Sequence, residues 1–205
     1  MSFLLALYLT IFSGLVNDHQ ADNFIVVIDA AHGGNDHGGK NISLDLIEKK
    51  LSLKVSQMLE DQFDLAYKIV LTRSDDKSMS NQQRIDFINQ LKPHLYLSIH
   101  FGHEMNEDEF GMYALFTKTS QYTEDAEYYA SFFLEEFIDM DEMLPVRQPT
   151  AGSDEILNGI NCPGVMLTLG SFDVTDYNQF LTQDKNVAEI SYLIAAAIRG
   201  IKNDY

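Results

Sequence analysis

Two histidines and a glutamate stand where apolar runs give way to polar turns. His32 follows the β-branched run Phe24–Ala30, within Asp29-Ala30-Ala31-His32-Gly33-Gly34, and His100 closes Ser98-Ile99-His100. Glu48 opens an amphipathic stretch just after a Gly-rich segment. In an open parallel sheet, ligands gather beyond the carboxyl ends of the strands, so imidazoles on two neighbouring strand ends can converge. A carboxylate at the start of the intervening helix can turn back to the same edge. Two imidazoles and one carboxylate, with a fourth position open, form the donor set of a catalytic zinc site. Water in that position would have its pKa lowered toward about 7. Spacing alone leaves a second reading open, in which these are turn residues that satisfy local backbone groups, since no H-E-x-x-H pattern joins them.

The elements that must position these residues are legible in the periodicity. Phe24–Ala30 reads as a strand. Ile47, Leu51, Val55, Met58 and Leu59 recur at helical spacing and predict a helix over 45–62. Tyr67–Leu71 reads as a second strand. Ser80 with Gln83 three residues on has the form of a capping box for a helix over 81–92. Strands over 95–99, 111–116 and 165–169 alternate with helices over 122–140 and 187–201. This alternation predicts a single α/β domain, a twisted and mostly parallel sheet flanked by helices on both faces. No repeat, linker or appended binding module interrupts it.

Composition narrows the partners. With 14 Lys+Arg against 31 Asp+Glu, the formal net charge is -17. That balance argues against nucleic acid, whose phosphates require clustered basic residues, and disfavours an anionic membrane surface. Hydrophobic residues at 45% and charged residues at 22% fit a folded domain with a substantial core. Cys162 is the only cysteine, so no intramolecular disulfide can form, and it is expected to be a packing residue. Residues 3–16 are apolar except for Thr10, Ser13 and Gly14. The run is shorter than the roughly 20 residues a membrane span needs, and it suits a signal-peptide apolar region of roughly 7–15. It lacks a preceding Lys or Arg and a clear A-x-A site, and the other reading is a buried N-terminal helix or strand. We expect residues 1–22 to be a signal peptide or apolar segment, 23–205 to be the folded domain, and no transmembrane span unless that first segment is retained as an anchor.

Further motifs occur in a telling order: IDAAHGGNDHGG at 28–39, Glu48-Lys49, LTRSDD at 71–76, Gln83-Arg84 with Asn89, Leu97-Ser98-Ile99-His100, and PGVMLTLGSF at 163–172. From about Ile25 to the C-terminus the chain resembles the zinc-dependent N-acetylmuramoyl-L-alanine amidases, which cut peptidoglycan between muramic acid and the stem peptide. The resemblance implies Zn²⁺ held by His32, Glu48 and His100, peptidoglycan or a muropeptide as substrate, and a periplasmic or secreted location. It further implies that zinc polarises the scissile carbonyl and activates water, while a nearby glutamate moves protons as general acid–base. Protein partners are not implied.

The chain departs from this pattern at several positions. The family places its glutamate in a motif resembling P-x-x-L-x-E-x-G, and Pro163-Gly164-Val165-Met166-Leu167-Thr168-Leu169-Gly170 puts Thr168 there. Losing positioned acid–base help costs about 10²–10⁴ in rate. Ala30-Ala31 replaces the usual Pro-Gly before the first histidine, and Gly102 stands where asparagine is common. Glu104 and Glu155 are candidate substitute acids, with solvated loop acids as the alternative. His37 and His103 could approach the site or remain ordinary loop histidines. Arg73 and Arg84 read as structural partners of carboxylates, with a substrate carboxylate as the other option. Three functions follow: an active amidase, a pseudo-amidase that binds zinc and muropeptide or regulates other wall hydrolases, or a domain without metal. The complete ligand set speaks against the third.

Overall fold

Phe24–Ala30 (β1) is β-branched along most of its length and lies inside the sheet, with nearly every residue buried. The computed structural model describes residues 23–102, 111–118 and 121–204. The segment expected to be a signal peptide, residues 1–22, therefore lies outside the described residues. A small hairpin follows β1, with β2 (Lys40–Asn41) antiparallel to β3 (Leu46–Ile47) around a 3-10 turn at Ile42–Leu44. Next come α1 (Glu48–Glu60), β4 (Tyr67–Leu71), α2 (Asn81–Leu91), β5 (Leu95–His100) and β6 (Met112–Thr117). The chain continues with α3 (Thr123–Glu135), β7 (Thr150–Gly152), α4 (Glu155–Gly159), β8 (Gly164–Leu169), α5 (Thr175–Leu181) and α6 (Asp184–Asp204).

The main sheet has six strands in the order β4-β1-β5-β8-β6-β7. β4, β1, β5 and β8 are mutually parallel, while β6 runs antiparallel to β8 and carries β7 parallel to itself. The sheet is thus mostly parallel, as the alternation of strands and helices predicts. Successive side chains of a strand point to opposite faces, so each central strand feeds two cores. Val26 and Ile28 join the larger core, with Val55 and Leu59 of α1, Phe133 of α3 and Ile194 of α6. Val27 and Tyr96 join the smaller core, with Ile85 and Ile88 of α2 and Ile156 of α4. Full burial of each such aliphatic side chain contributes about 1.5–3 kcal/mol, so both cores hold the helices to the sheet.

Helix boundaries differ from the sequence expectation in one place that matters. The helix expected over 45–62 starts at Glu48, because Leu46 and Ile47 pair with the preceding strand instead. That start places Glu48 in the first turn, beside the carboxyl ends of β1 and β5. The capping box is present in full at α2, with the Ser80 hydroxyl accepting from Gln83 N and the Gln83 side chain accepting from Ser80 N. The helix expected over 122–140 ends at Glu135 and gives way to a 3-10 turn at Ile138–Met140. Cys162 is buried in the smaller core, and burial pushes its thiol up to about 12. No helix among the described residues is long and apolar enough to cross a membrane.

Candidate metal centre

Two residues past the end of β1 the chain turns left-handed. His32 has φ 62° and is followed by Gly33 at 127° and Gly34 at 58°. An L-residue with positive φ needs support from its surroundings, and here the carbonyls are held from below. Arg84 donates from Nη2 to His32 O at 2.7 Å and ion-pairs through Nη1 with buried Asp29. Thr72, Tyr96 and Ser98 also donate hydroxyl hydrogen bonds to the Asp29 carboxylate. Arg73 donates from Nε to Ala30 O and from Nη2 to Ala31 O and Lys49 O, each at 2.8 Å. Arg84 thus has the carboxylate partner expected of it, whereas Arg73 serves backbone carbonyls. Through Lys49 O it also ties the β1 turn to the first turn of α1.

The same turn orients the His32 ring. Its Nδ1 lies 2.8 Å from Asp36 Oδ2, which directs Nε2 toward Glu48 Oε2 at 3.0 Å. A carboxylate on one ring nitrogen fixes the tautomer that offers the other nitrogen as a ligand. His100, the last residue of β5, places Nδ1 3.0 Å from Glu48 Oε1. The two imidazoles meet edge to face with centroids 5.3 Å apart. Glu48 is 3% exposed, and its carboxylate also accepts Gly39 N at 2.7 Å and Phe101 N at 3.0 Å. Burial works to raise the Glu48 pKa, but hydrogen bonds and charge from His100 and His32 outweigh it and hold the carboxyl well below its usual range. For His32, burial alone would lower the pKa, and Glu48 and Asp36 together raise it.

The donor set fits a metal ion. One ligand atom each from His32, Glu48 and His100 lie within 4.8 Å of one another. Tetrahedral zinc with bonds of about 2.0–2.2 Å sets neighbouring donors roughly 3.4 Å apart, close to the imidazole–carboxylate separations here. A Cβ at Gly38 would meet Glu48 Oε2 at 2.4 Å and His32 Nε2 at 2.7 Å, so only glycine leaves this cradle open. Asp36 and Gly38 were not singled out by the sequence, although Asp36 sits one helical turn's spacing after His32 in the Gly-rich run.

A cavity of about 590 Å³ opens from the donors and is also lined by Tyr113, Leu115, Ser153, Asp154, Met166 and Thr168. Thr168 lies beside His100 in the β5–β8 register and is 1% exposed. The candidate acid Glu155 is absent from this lining and accepts from Asn81 Nδ2 at 2.6 Å instead. Its neighbour Asp154 is the acid that faces the cavity. His37 sets Nδ1 3.0 Å from Asn35 O and stands outside the donor group. Glu104 and His103 lie outside the described residues. At Gly102, with φ 71°, a Cβ would come within 2.3 Å of the Phe172 ring, so Phe172 fills the space a side chain there would need. Ala30-Ala31 causes no strain, since the left-handed residue is His32 itself.

The profile of the N-acetylmuramoyl-L-alanine amidase family matches residues 26–200, and the chain belongs to that family. It is 43% identical over 77 residues to a Buchnera aphidicola protein named as an N-acetylmuramoyl-L-alanine amidase, covering 36% of this chain and 32% of that one. To the Haemophilus influenzae protein named AmiB it is 30% identical over 88 residues, 42% of this chain and 20% of the other. The chain therefore matches about a third or less of the length of these curated relatives. Among solved structures, the amidase of Clostridium difficile 630 superimposes with a TM-score of 0.79 at 19% identity, covering 88% of this chain and 97% of that one. The catalytic domain of CwlV from Bacillus (Paenibacillus) polymyxa var. colistinus gives 0.77 at 24% identity, with 87% and 98% covered. At such identities the likeness speaks for the fold.

Proposed function

We propose that this chain is a zinc-binding N-acetylmuramoyl-L-alanine amidase domain directed at the amide between muramic acid and L-alanine of peptidoglycan, with His32, Glu48 and His100 as metal ligands. The observation that carries the proposal is the convergence of these three side chains at one edge of an amidase-family sheet, with His32 held by Asp36 and Glu48 by backbone amides. The apolar segment within residues 1–22 and the location of the substrate favour a periplasmic or secreted protein.

The residues divide the work simply. Asp36 fixes the His32 tautomer, and the Gly39 and Phe101 amides fix the Glu48 carboxylate. When bound, zinc would polarise the scissile carbonyl and activate water at its open position. What the described site lacks is a base on β8, since the Thr168 hydroxyl cannot take up a proton at neutral pH as a carboxylate does. That observation favours a second reading, a pseudo-amidase that retains zinc and muropeptide binding and turns over slowly or not at all.

Metal analysis of the purified protein and release of L-alanine-bearing peptides from muropeptides, with Thr168→Glu alongside, separate the two. Zinc with native turnover identifies the amidase. Zinc with turnover only in Thr168→Glu identifies the pseudo-amidase, and absence of stoichiometric metal rejects both.

A further inference from the structure

The cavity beside the candidate metal centre extends past the three donors. His100, Thr168 and Tyr113 lie side by side across β5, β8 and β6, and Met166 with Leu115 forms the next row on β8 and β6. Ser153 and Asp154 complete the wall where α4 packs over β6 and β8. Among the described lining residues, Asp154 is the only carboxylate apart from Glu48, and none is Lys or Arg. The Glu48 oxygens are already engaged by two histidines and two amides, which leaves Asp154 as the acid available to a ligand among the described lining residues.

Asp154 is also held still. Its Oδ1 accepts the amides of Ile156 and Leu157, each at 2.9 Å, which fixes the side chain and leaves Oδ2 for another partner. An immobilised carboxylate in a cavity whose described lining holds no Lys or Arg disfavours a ligand carboxylate and favours a cation, because charge-assisted N–H···O bonds are the stronger kind.

We propose that Asp154 forms a subsite for a cationic group of the substrate, an ammonium or guanidinium carried on the peptide side of the scissile amide. This rests on the muropeptide reading above. The sheet-lining Met166 and Leu115 contact the intervening peptide, and Asp154 selects peptides by charge.

The test uses the zinc-loaded full chain and two probes: a muramoyl tripeptide ending in lysine, and the same compound acetylated on the lysine Nε. Preference is read as the ratio of kcat/KM if the protein turns over, or of Kd if it only binds. Wild type should favour the free amine by about tenfold or more, as expected for a hydrogen bond to a charged group. D154N should abolish that preference, bringing the free-amine and acetylated probes to the same kcat/KM or Kd. Asparagine caps helices as well as aspartate does, so D154N removes charge and keeps the α4 start. Equal treatment of the probes by wild type, or a preference that survives in D154N, overturns the subsite and leaves the amidase reading standing. Failure of wild type to bind or cleave either probe overturns both.

Discussion

Arg84 Nη2 donates to the carbonyl oxygen of His32 at 2.7 Å, while Nη1 of the same guanidinium pairs with Asp29. One buried cation thus links the interior of β1 to the left-handed residue that carries a candidate ligand. Both side chains are nearly inaccessible, Arg84 at 4% and Asp29 at 2%. Removing one partner strands a buried charge, which costs about 3–5 kcal/mol. Arg84→Ala should therefore lower the unfolding free energy of the metal-free protein by that amount, read as a lower urea midpoint at unchanged m. Arg84→Lys should recover only part, because an ammonium lacks the planar fork that serves both acceptors. A midpoint shift equivalent to less than about 1 kcal/mol in Arg84→Ala would assign the pair a negligible structural role.

Asp36 acts one step behind the metal ligands. Its carboxylate touches His32 Nδ1 at 2.8 Å, and its other oxygen accepts Gly38 N at 3.1 Å, so it orders both the ring and the glycine cradle. Loss of such an outer partner lowers metal affinity about 10–100-fold. Asp36→Ala should show that loss in competition with a chromophoric chelator, whereas His100→Ala should bind no stoichiometric zinc. Unchanged affinity in Asp36→Ala would mean that the β1 turn and Glu48 orient the ring without Asp36.

Much of this arrangement is legible in the sequence because strand ends and ligand types coincide. His32 and His100 interrupt apolar runs at the ends of β1 and β5, and those two strands are hydrogen-bonded neighbours. Glu48 is less legible, since helical periodicity extends back through Ile47 and hides the hairpin that makes Glu48 the first helical residue. Short elements such as β7 and α4 carry too few residues for a period to emerge, and Asp154 is set by their junction. Glu155 has the more promising residue type for a catalytic acid, but Asp154 occupies the position that faces the cavity. Arg73 could be expected to be structural, yet its preference for carbonyls over carboxylates depends on how tightly the β1 turn approaches α1.

Cys162 offers a chemical readout of the smaller core. Burial raises its thiol to about 12, whereas an exposed cysteine titrates near ~8.5. The thiolate is the reactive species, so alkylation by iodoacetamide at pH 8 should be about a thousandfold slower in the native protein than in urea. The reaction should accelerate in step with the unfolding transition followed by circular dichroism. Rapid labelling without denaturant would show that Cys162 is reached through local opening near α4.

Gly102 tests whether a departure from the family pattern is compensated nearby. Its φ is 71°, and a Cβ at this position would lie 2.3 Å from Phe172 Cδ2, so asparagine cannot be inserted without moving that ring. Asparagine tolerates the left-handed region better than most residues, so backbone strain is the smaller part of the cost. Crowding is the larger part, and overpacking of this kind costs about 1–3 kcal/mol. Gly102→Asn should therefore be destabilised in urea by that amount. Phe172→Ala alone should also destabilise, through the space it leaves. The double variant should be more stable than the two single losses predict, with a coupling of about 0.5–3 kcal/mol, because the new side chain then has room. Additive losses would show that Phe172 and position 102 are independent, and that the glycine serves the backbone turn alone.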